Sequence, residues 1–293
     1  MPTEIRAFQI FYDEATRASR DVDFEPLDNS RSERPDWYEY WPIRSYLSKN
    51  PLEESAFYGF LSPRFFDKTR LRGAQVKDFI RGCEDADVVT FSPVPCHGAC
   101  FINVFEQGDY FHRGLAGVAG RFFERVDPDV KLDALVTHSR NTVFSNFFFA
   151  RRRFWKSWAS VLERLFDLAE TPGSPLHAAL NAPLEYLKTD GERSVTHMKI
   201  FVMERAASFL LATSRDLRVR NFPPFQIPLS VPFNGHLQDV VALDALKIAF
   251  SDTGDPHYLR LFKQLRDRAV AAAWPTEARP NGGARQALAQ ERT

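Results

Sequence analysis

Glu204 and Arg205 lie side by side inside an otherwise apolar run, HMKIFVMERAASFLLATS, residues 197–214. An acid and a base in such surroundings suit two jobs. A carboxylate shielded from water can take a proton from a reacting hydroxyl, while a guanidinium orients that hydroxyl or faces a developing anion. The same two groups can also form a buried ion pair that fixes one packing arrangement at a desolvation cost. The residue types alone admit both.

Three further segments carry candidate chemistry. Arg151, Arg152 and Arg153 stand at the start of an amphipathic stretch, where the helix dipole is already positive. Guanidinium forks and helix N-terminal amides together suit a phosphate, and a solvated basic turn paired with acids is the alternative. Residues 26–44, PLDNSRSERPDWYEYWPIR, interleave Trp37 and Trp41 with Asp28, Asn29, Glu39 and Arg44. Flat rings stack on sugar faces and polar groups pair with hydroxyls, although packing of a kinked helix explains the same rings. Paired acids of the form D-x-D occur at 21/23, 85/87 and 127/129. Hard carboxylates so spaced hold Mg²⁺ or Mn²⁺, and the metal neutralises a diphosphate. Asp85 and Asp87 adjoin a strand and are the candidate metal pair, although they precede it rather than follow it.

Other chemistries leave no signature. The chain has neither the glycine pattern of a dinucleotide-binding turn nor that of a P-loop, no H-E-x-x-H pair and no G-x-S-x-G elbow. Cys96-His97-x-x-Cys100 has one half of a zinc spacing without the other half, so buried thiols explain it better. Gly114, Gly117 and Gly120 suggest a closely packed helix face.

The elements that must position these groups follow from hydrophobic periodicity. Aromatic and β-branched runs at 7–13, 57–65 and 87–93 predict strands, with helices over 34–50, where Pro42 either kinks the helix or starts a new one, and over 74–82 between them. Strand and helix alternating at short intervals predict an α/β fold. The clearest helix is 154–170, with Phe154, Trp158, Val161, Leu162, Leu165 and Phe166 on one stripe. Residues 219–235 carry prolines at 223, 224, 228 and 232 and read as a stiff, extended connection. Two helices, 237–250 and 257–274, close a single domain of residues 1–274, and 275–293 read as a mobile tail.

Composition narrows the partners. With 38 basic and 38 acidic side chains the chain has no net charge, so its overall field does not point to nucleic acid. The 44% hydrophobic content suffices for a core, and no apolar run reaches the roughly 18 residues of a membrane span. Three cysteines suggest no disulfide framework, and the expectation is a soluble cytoplasmic protein.

Taken in order over residues 5–212, four motifs resemble those of bacterial glycosyltransferase-like proteins encoded with capsular polysaccharide and lipopolysaccharide clusters. They are an acidic loop leading into Glu39-Tyr40-Trp41, Tyr58-Gly59-Phe60 with Arg64, Asn146-Phe147-Phe148-Phe149 leading into Phe154-Trp155 and Trp158, and Phe201-Val202-Met203-Glu204-Arg205. The resemblance implies a GT-A-type sheet, mixed but mostly parallel, flanked by helices. It implies a nucleotide-sugar donor near Asp13, Asp28, Asn29, Arg64, Arg151 and Arg152, and a glycan acceptor near Trp37, Glu39, Trp41 and Asn146. Glu204 would be the general base and Arg205 would orient the acceptor or face the diphosphate. A tight D-x-D after a strand, which would hold Mn²⁺ or Mg²⁺, is missing. A non-catalytic module that binds a glycan or a protein is the competing expectation, and a hydrolase built on two carboxylates is a third.

Overall fold

The computed structural model describes residues 3–187 and 193–273. The predicted tail at 275–293 lies outside them.

Among the described residues six strands form one sheet: β1 (Ile5–Phe11), β2 (Glu25–Asp28), β3 (Phe57–Leu61), β4 (Val88–Thr90), β5 (Phe148–Ala150) and β8 (Val219–Asn221), in the spatial order β2-β1-β3-β5-β4-β8. β6 (Pro183–Leu187) and β7 (Arg193–His197) make a separate antiparallel hairpin. In the main sheet β1 pairs in parallel with β2 and β3, and β4 with β8, while β5 runs antiparallel between β3 and β4. The sheet is therefore mixed and mostly parallel, with helices on both faces; the alternating pattern predicts the α/β class and the parallel pairs, and the antiparallel β5 departs from it.

Burial on both faces explains why its strands read as nearly continuous apolar runs. Phe8, Ile10, Tyr58, Phe60, Phe148 and Ala150 join the core beneath the helix Arg152–Glu170, which inserts Trp155, Trp158 and Leu162. The alternate residues Ala7, Phe57, Leu61, Val89 and Phe149 face Val76 and Ile80 of the helix Gly73–Arg81. Gly59 is glycine for a local reason: a Cβ there would come within 2.5 Å of the Phe149 ring on β5.

The structure sharpens the sequence reading at four places. Of the two readings of Pro42, a kink or a new start, the second holds: a 3₁₀ turn, Pro35–Trp37, precedes a separate helix Tyr40–Lys49 that carries Pro42 near its start. Gly114 has φ +92° and opens the helix Leu115–Val126, whereas Gly117 and Gly120 would meet no heavy atom with an added Cβ, so no close-packed glycine face exists there. The proline-rich connection begins with the edge strand β8. The apolar run at 197–214 is two helices, Met198–Met203 and Ala206–Thr213, broken at Glu204 and Arg205.

The C-terminal helices Leu237–Thr253 and Pro256–Ala273 share a small core with Pro95–Cys100, including Cys96, Cys100, Phe233, Leu243 and Phe262. Lys247 is fully buried and donates to the carbonyls of Gly98, Phe101 and Thr137, the last two at 2.6 Å. Asp244 beside it accepts from the Ser139 amide at 2.8 Å. No helix among the described residues is long and apolar enough to cross a membrane.

Candidate functional site

β1 is flanked by β2 on one side and β3 on the other, so the chain reverses its direction of travel across the sheet between β1 and β3. Parallel strands that diverge in this way leave a crevice at their carboxyl ends, where ligands of open α/β sheets bind. Tyr12 and Asp13 follow β1, Asn29 follows β2, and Ser62, Pro63 and Arg64 follow β3. The single antiparallel strand decides what joins them. The loop entering β5 falls at this carboxyl edge and delivers Ser145 and Asn146, whereas the helix leaving β5 starts at the opposite, amino edge.

An open pocket of about 390 Å³ lies beside the crevice, lined by Tyr12, Asn29, Ser30, Ser32, Pro35 and Tyr38. Its polar groups are incompletely used. The Tyr12 and Ser32 hydroxyls are shielded from water without a well-formed hydrogen bond, and so is Oδ1 of Asn146, which is 6% exposed. Tyr38, Ser145 and Asn146 hold left-handed backbone, with φ of 45°, 59° and 53°. Non-glycine residues so held store strain that the surrounding fold must support, and such strain gathers at functional sites.

The charged groups beside this edge act on one another. Lys68, on the helix Phe65–Thr69 that follows β3, donates to Ser145 Oγ at 2.8 Å and lies 5.7 Å from the Phe147 ring centroid. Burial pulls its ammonium below the usual lysine range, with Glu204 and Glu39 opposing that shift and Arg64 adding to it. Glu204 is hemmed in by protein, yet its side chain keeps 40% of its surface accessible, which places the carboxylate in an open recess. Burial raises its pKa above the ordinary glutamate value; Arg205 and Lys68 oppose the rise and Glu39 adds to it. Tyr12 is likewise pushed upward, by burial first and by Glu39 second.

A charge network fixes the pocket wall. Arg34 bridges Asp36 at 2.9 Å and Glu170 at 2.7 Å, and the buried Lys199 reaches the same two acids at 2.6 and 3.4 Å. Trp37 is 0% exposed and donates from Nε1 to Glu170 at 2.9 Å. These bonds tie the turn before Tyr38 and Glu39 to the far end of the helix Arg152–Glu170 and to the helix Met198–Met203.

Several sequence-predicted site residues belong elsewhere or are already engaged. Arg205 is buried and spends its guanidinium on the carbonyls of Val104 and Phe201 and on Gln107 Oε1, at 3.0, 2.6 and 2.9 Å, so it staples helices rather than facing a ligand. Trp37 offers no face to a sugar. Trp41 packs on Phe166, with the Arg34 and Arg44 guanidiniums against its ring. Asp13 caps the helix Glu14–Ala18 through the Thr16 amide, and Asp28 accepts from the Ser30 amide and hydroxyl; both stand at the carboxyl edge with locally engaged carboxylates.

Arg151 and Arg152 stand at the amino edge, because the strand before them is reversed. Arg151 donates to the carbonyls of Ala86, Ser55 and Glu84, and Arg152 pairs with Glu54 at 3.2 Å. The candidate metal pair is corrected on the same ground. Asp85 pairs with Arg220 and Asp87 accepts from the Arg218 amide at 2.9 Å, both before β4 and across the sheet from the crevice. These two acids do not fit a site for Mn²⁺ or Mg²⁺. No group of three or more His, Cys, Asp and Glu side chains suited to a metal occurs among the described residues. At the Cys96–Cys100 turn the thiols are free and buried, and burial drives the Cys100 pKa up to about 12, which disfavours the thiolate that zinc needs.

The carboxyl edge thus gathers Asn29, Glu39, Arg64, Asn146 and Glu204 from the predicted set. Tyr12, Tyr38, Lys68 and Ser145 were not anticipated. A usable signal existed for two of them: Tyr12 directly follows a strand's last residue, and Lys68 lies four residues after Arg64, one helical turn beyond a strand end. No family model matches the chain, and neither a curated protein nor a solved structure does.

Proposed function

We propose that the chain is a glycosyltransferase-like protein with a GT-A-type sheet, which binds a nucleotide-sugar donor at the carboxyl ends of β1 and β3 and passes the sugar to a glycan acceptor. One observation carries the reading. At the switch point of a mostly parallel sheet, cations, acids and unpartnered hydroxyl and amide groups converge beside a pocket, and the backbone there is strained. The unpartnered Ser32 hydroxyl and Asn146 Oδ1, with the Tyr12 hydroxyl that otherwise faces Glu39, suit the hydroxyls of ribose and sugar.

Glu204 is the base in this reading. It takes the proton of the acceptor hydroxyl as that oxygen bonds to the anomeric carbon. The bond between the anomeric carbon and the diphosphate oxygen breaks, and its electron pair leaves with the nucleoside diphosphate. A carboxylate whose pKa burial has raised is a stronger base than an exposed one, and its partial access to water leaves room for an acceptor. Arg205 supports Glu204 from behind, 3.8 Å away, as a positioning residue. An acceptor of a surface polysaccharide and a cytoplasmic location belong to the same proposal.

The test is a panel of uridine, thymidine, guanosine, cytidine and adenosine diphosphate sugars, read first by melting temperature and then by sugar transfer or donor hydrolysis. A selective rise with one donor is expected by binding linkage, with turnover that Glu204→Gln abolishes while the rise persists. No rise with any donor, or full turnover in Glu204→Gln, overturns the reading. Selective binding without turnover in the wild type moves the chain to the non-catalytic binding class.

A further inference from the structure

We propose that Lys68, with Arg64, neutralises the diphosphate of the donor at the carboxyl end of β3, in the place where glycosyl transfer otherwise calls on a carboxylate pair and a divalent cation. The proposal rests on the donor reading above and specifies what holds the diphosphate.

Its first support is position. The segment after β3 borders the switch-point crevice, and there the chain reads Ser62-Pro63-Arg64, with Lys68 one helical turn on, rather than an acid pair. The strand-linked acids of the sequence, Asp85 and Asp87, are committed to arginine partners across the sheet.

The second support is the way Lys68 is held. Its ammonium has three donors, and the Ser145 hydroxyl takes one at 2.8 Å. Among the described residues no carboxylate oxygen lies within the 4.0 Å of an ion pair with it, although Glu39 and Glu204 act on it from further off. This distinguishes it from the two fully buried lysines, Lys199 and Lys247. Lys199 has two acids within 3.4 Å, and Lys247 gives three hydrogen bonds to carbonyls. A half-satisfied cation on a short, aromatic-walled helix is a fixed charge with donors to spare, and a diphosphate oxygen is the ligand that uses them.

The third support is the neighbouring loop. Ser145, the partner of Lys68, and Asn146 both hold left-handed backbone, and the Asn146 Oδ1 has no partner although it is 6% exposed. That oxygen accepts from a hydroxyl of the sugar attached to the diphosphate. The loop therefore contributes an anchor for the cation and a contact for the transferred group from adjacent residues. A diphosphate arriving beside Lys68 also separates the ammonium from the field of Glu204 and Glu39, which leaves Glu204 the more basic when donor is bound.

Titration of uridine, guanosine, adenosine and cytidine diphosphates into the full chain, in EDTA and then in Mn²⁺, tests the proposal. The expected result is that at least one binds in EDTA and changes affinity by less than about twofold with Mn²⁺. Lys68→Met is expected to weaken that binding by at least roughly tenfold, as loss of a charge-assisted contact does, and Lys68→Arg to recover most of it. Circular dichroism melting of both variants separates lost binding from lost folding, and Lys68→Arg carries the test if Lys68→Met does not fold. Binding that requires Mn²⁺, or that survives Lys68→Met, overturns this proposal and leaves the donor reading intact. No binding of any diphosphate in either condition overturns both.

Discussion

The two edges of the main sheet are built from the same residue types and finish in opposite states. At the amino edge Asp85, Asp87, Arg151, Arg152, Arg153, Arg218 and Arg220 close one another off: Asp85 with Arg220, Asp87 with the Arg218 amide, Arg153 with Asp216, and Arg151 with three carbonyls. At the carboxyl edge Lys68 has spare donors, Glu204 keeps access to water, and Ser32 and Asn146 leave polar atoms unpartnered. The carboxyl edge also bends the backbone into left-handed geometry at Tyr38, Ser145 and Asn146. Density of charge is therefore a poor guide to a site. What marks one is charge and polarity that the fold has left unsatisfied.

The comparison breaks most visibly at its one internal exception. Glu204 and Arg205 are adjacent, yet the first belongs to the open site and the second to the closed interior. Arg205→Met is expected to cost about 3–5 kcal/mol in denaturant unfolding, because it strands the Val104 and Phe201 carbonyls and Gln107 in a buried position. Gly108 makes room for that guanidinium, because a Cβ there would come within 2.5 Å of it. A loss below about 1 kcal/mol would show that Arg205 is not the staple described.

Glu204→Gln is expected to do the reverse, lowering transfer by roughly 10²–10³-fold while leaving the melting temperature unchanged or slightly raised. The sign follows from the raised pKa. A carboxyl whose folded pKa lies above its unfolded value stabilises the fold below the unfolded value and loses that contribution as pH rises through the folded one. At neutral pH the charged form is a burden that glutamine removes. In the wild type the rate should climb with pH through a value above the ordinary 4.5, as Glu204 ionises. Donor affinity should fall as pH rises through a value below the ordinary 10.5, as Lys68, facing Glu39, Glu204 and Arg64, loses its proton. A rate that is flat across the acid limb would remove Glu204 from the chemistry.

Much of the scaffold was legible in the sequence, and the reason lies in length and patterning. β1 and β3 are continuous apolar runs, the helices Gly73–Arg81, Arg152–Glu170 and Pro256–Ala273 repeat a hydrophobic stripe, and Leu237–Thr253 is a long apolar stretch closed by a breaker at Gly254. β5 and β8 are three residues long, and their strand character comes from the neighbours they pair with. The direction of β5 has no local signal at all, yet it decides which motif reaches the site. Reversal carried Arg151 and Arg152 to the wrong edge and brought Asn146 to the right one. A single lysine in FFDKT has no motif, and only the crevice beside it gives Lys68 meaning.

A smaller effect is expected at the closed edge. Asp87→Asn keeps the shape of the side chain and its acceptor oxygen for the Arg218 amide but removes the charge near Arg153 and Arg218, at 3.9 and 3.6 Å. A loss of about 1 kcal/mol is expected from a charge-assisted bond made neutral. Diphosphate affinity should not change, and a weakened affinity would bring the amino edge back into the site.

Arg152→Met is the smallest perturbation and the sharpest control. Arg152 is half-exposed, its partner Glu54 is largely exposed, and their 3.2 Å contact sits in water. Solvent screening and the entropy of two long side chains leave such pairs worth roughly 0–1 kcal/mol, so stability should hold within about 0.5 kcal/mol. Its position in a run of three arginines is the feature that suggested phosphate binding, and Lys68 has no such run around it. If Arg152→Met leaves diphosphate affinity unchanged and Lys68→Met lowers it, then the reversed strand, and not the density of arginines, sets where the anion goes. The opposite pair of results would place the anion at the start of the helix Arg152–Glu170 and dissolve the distinction between the two edges.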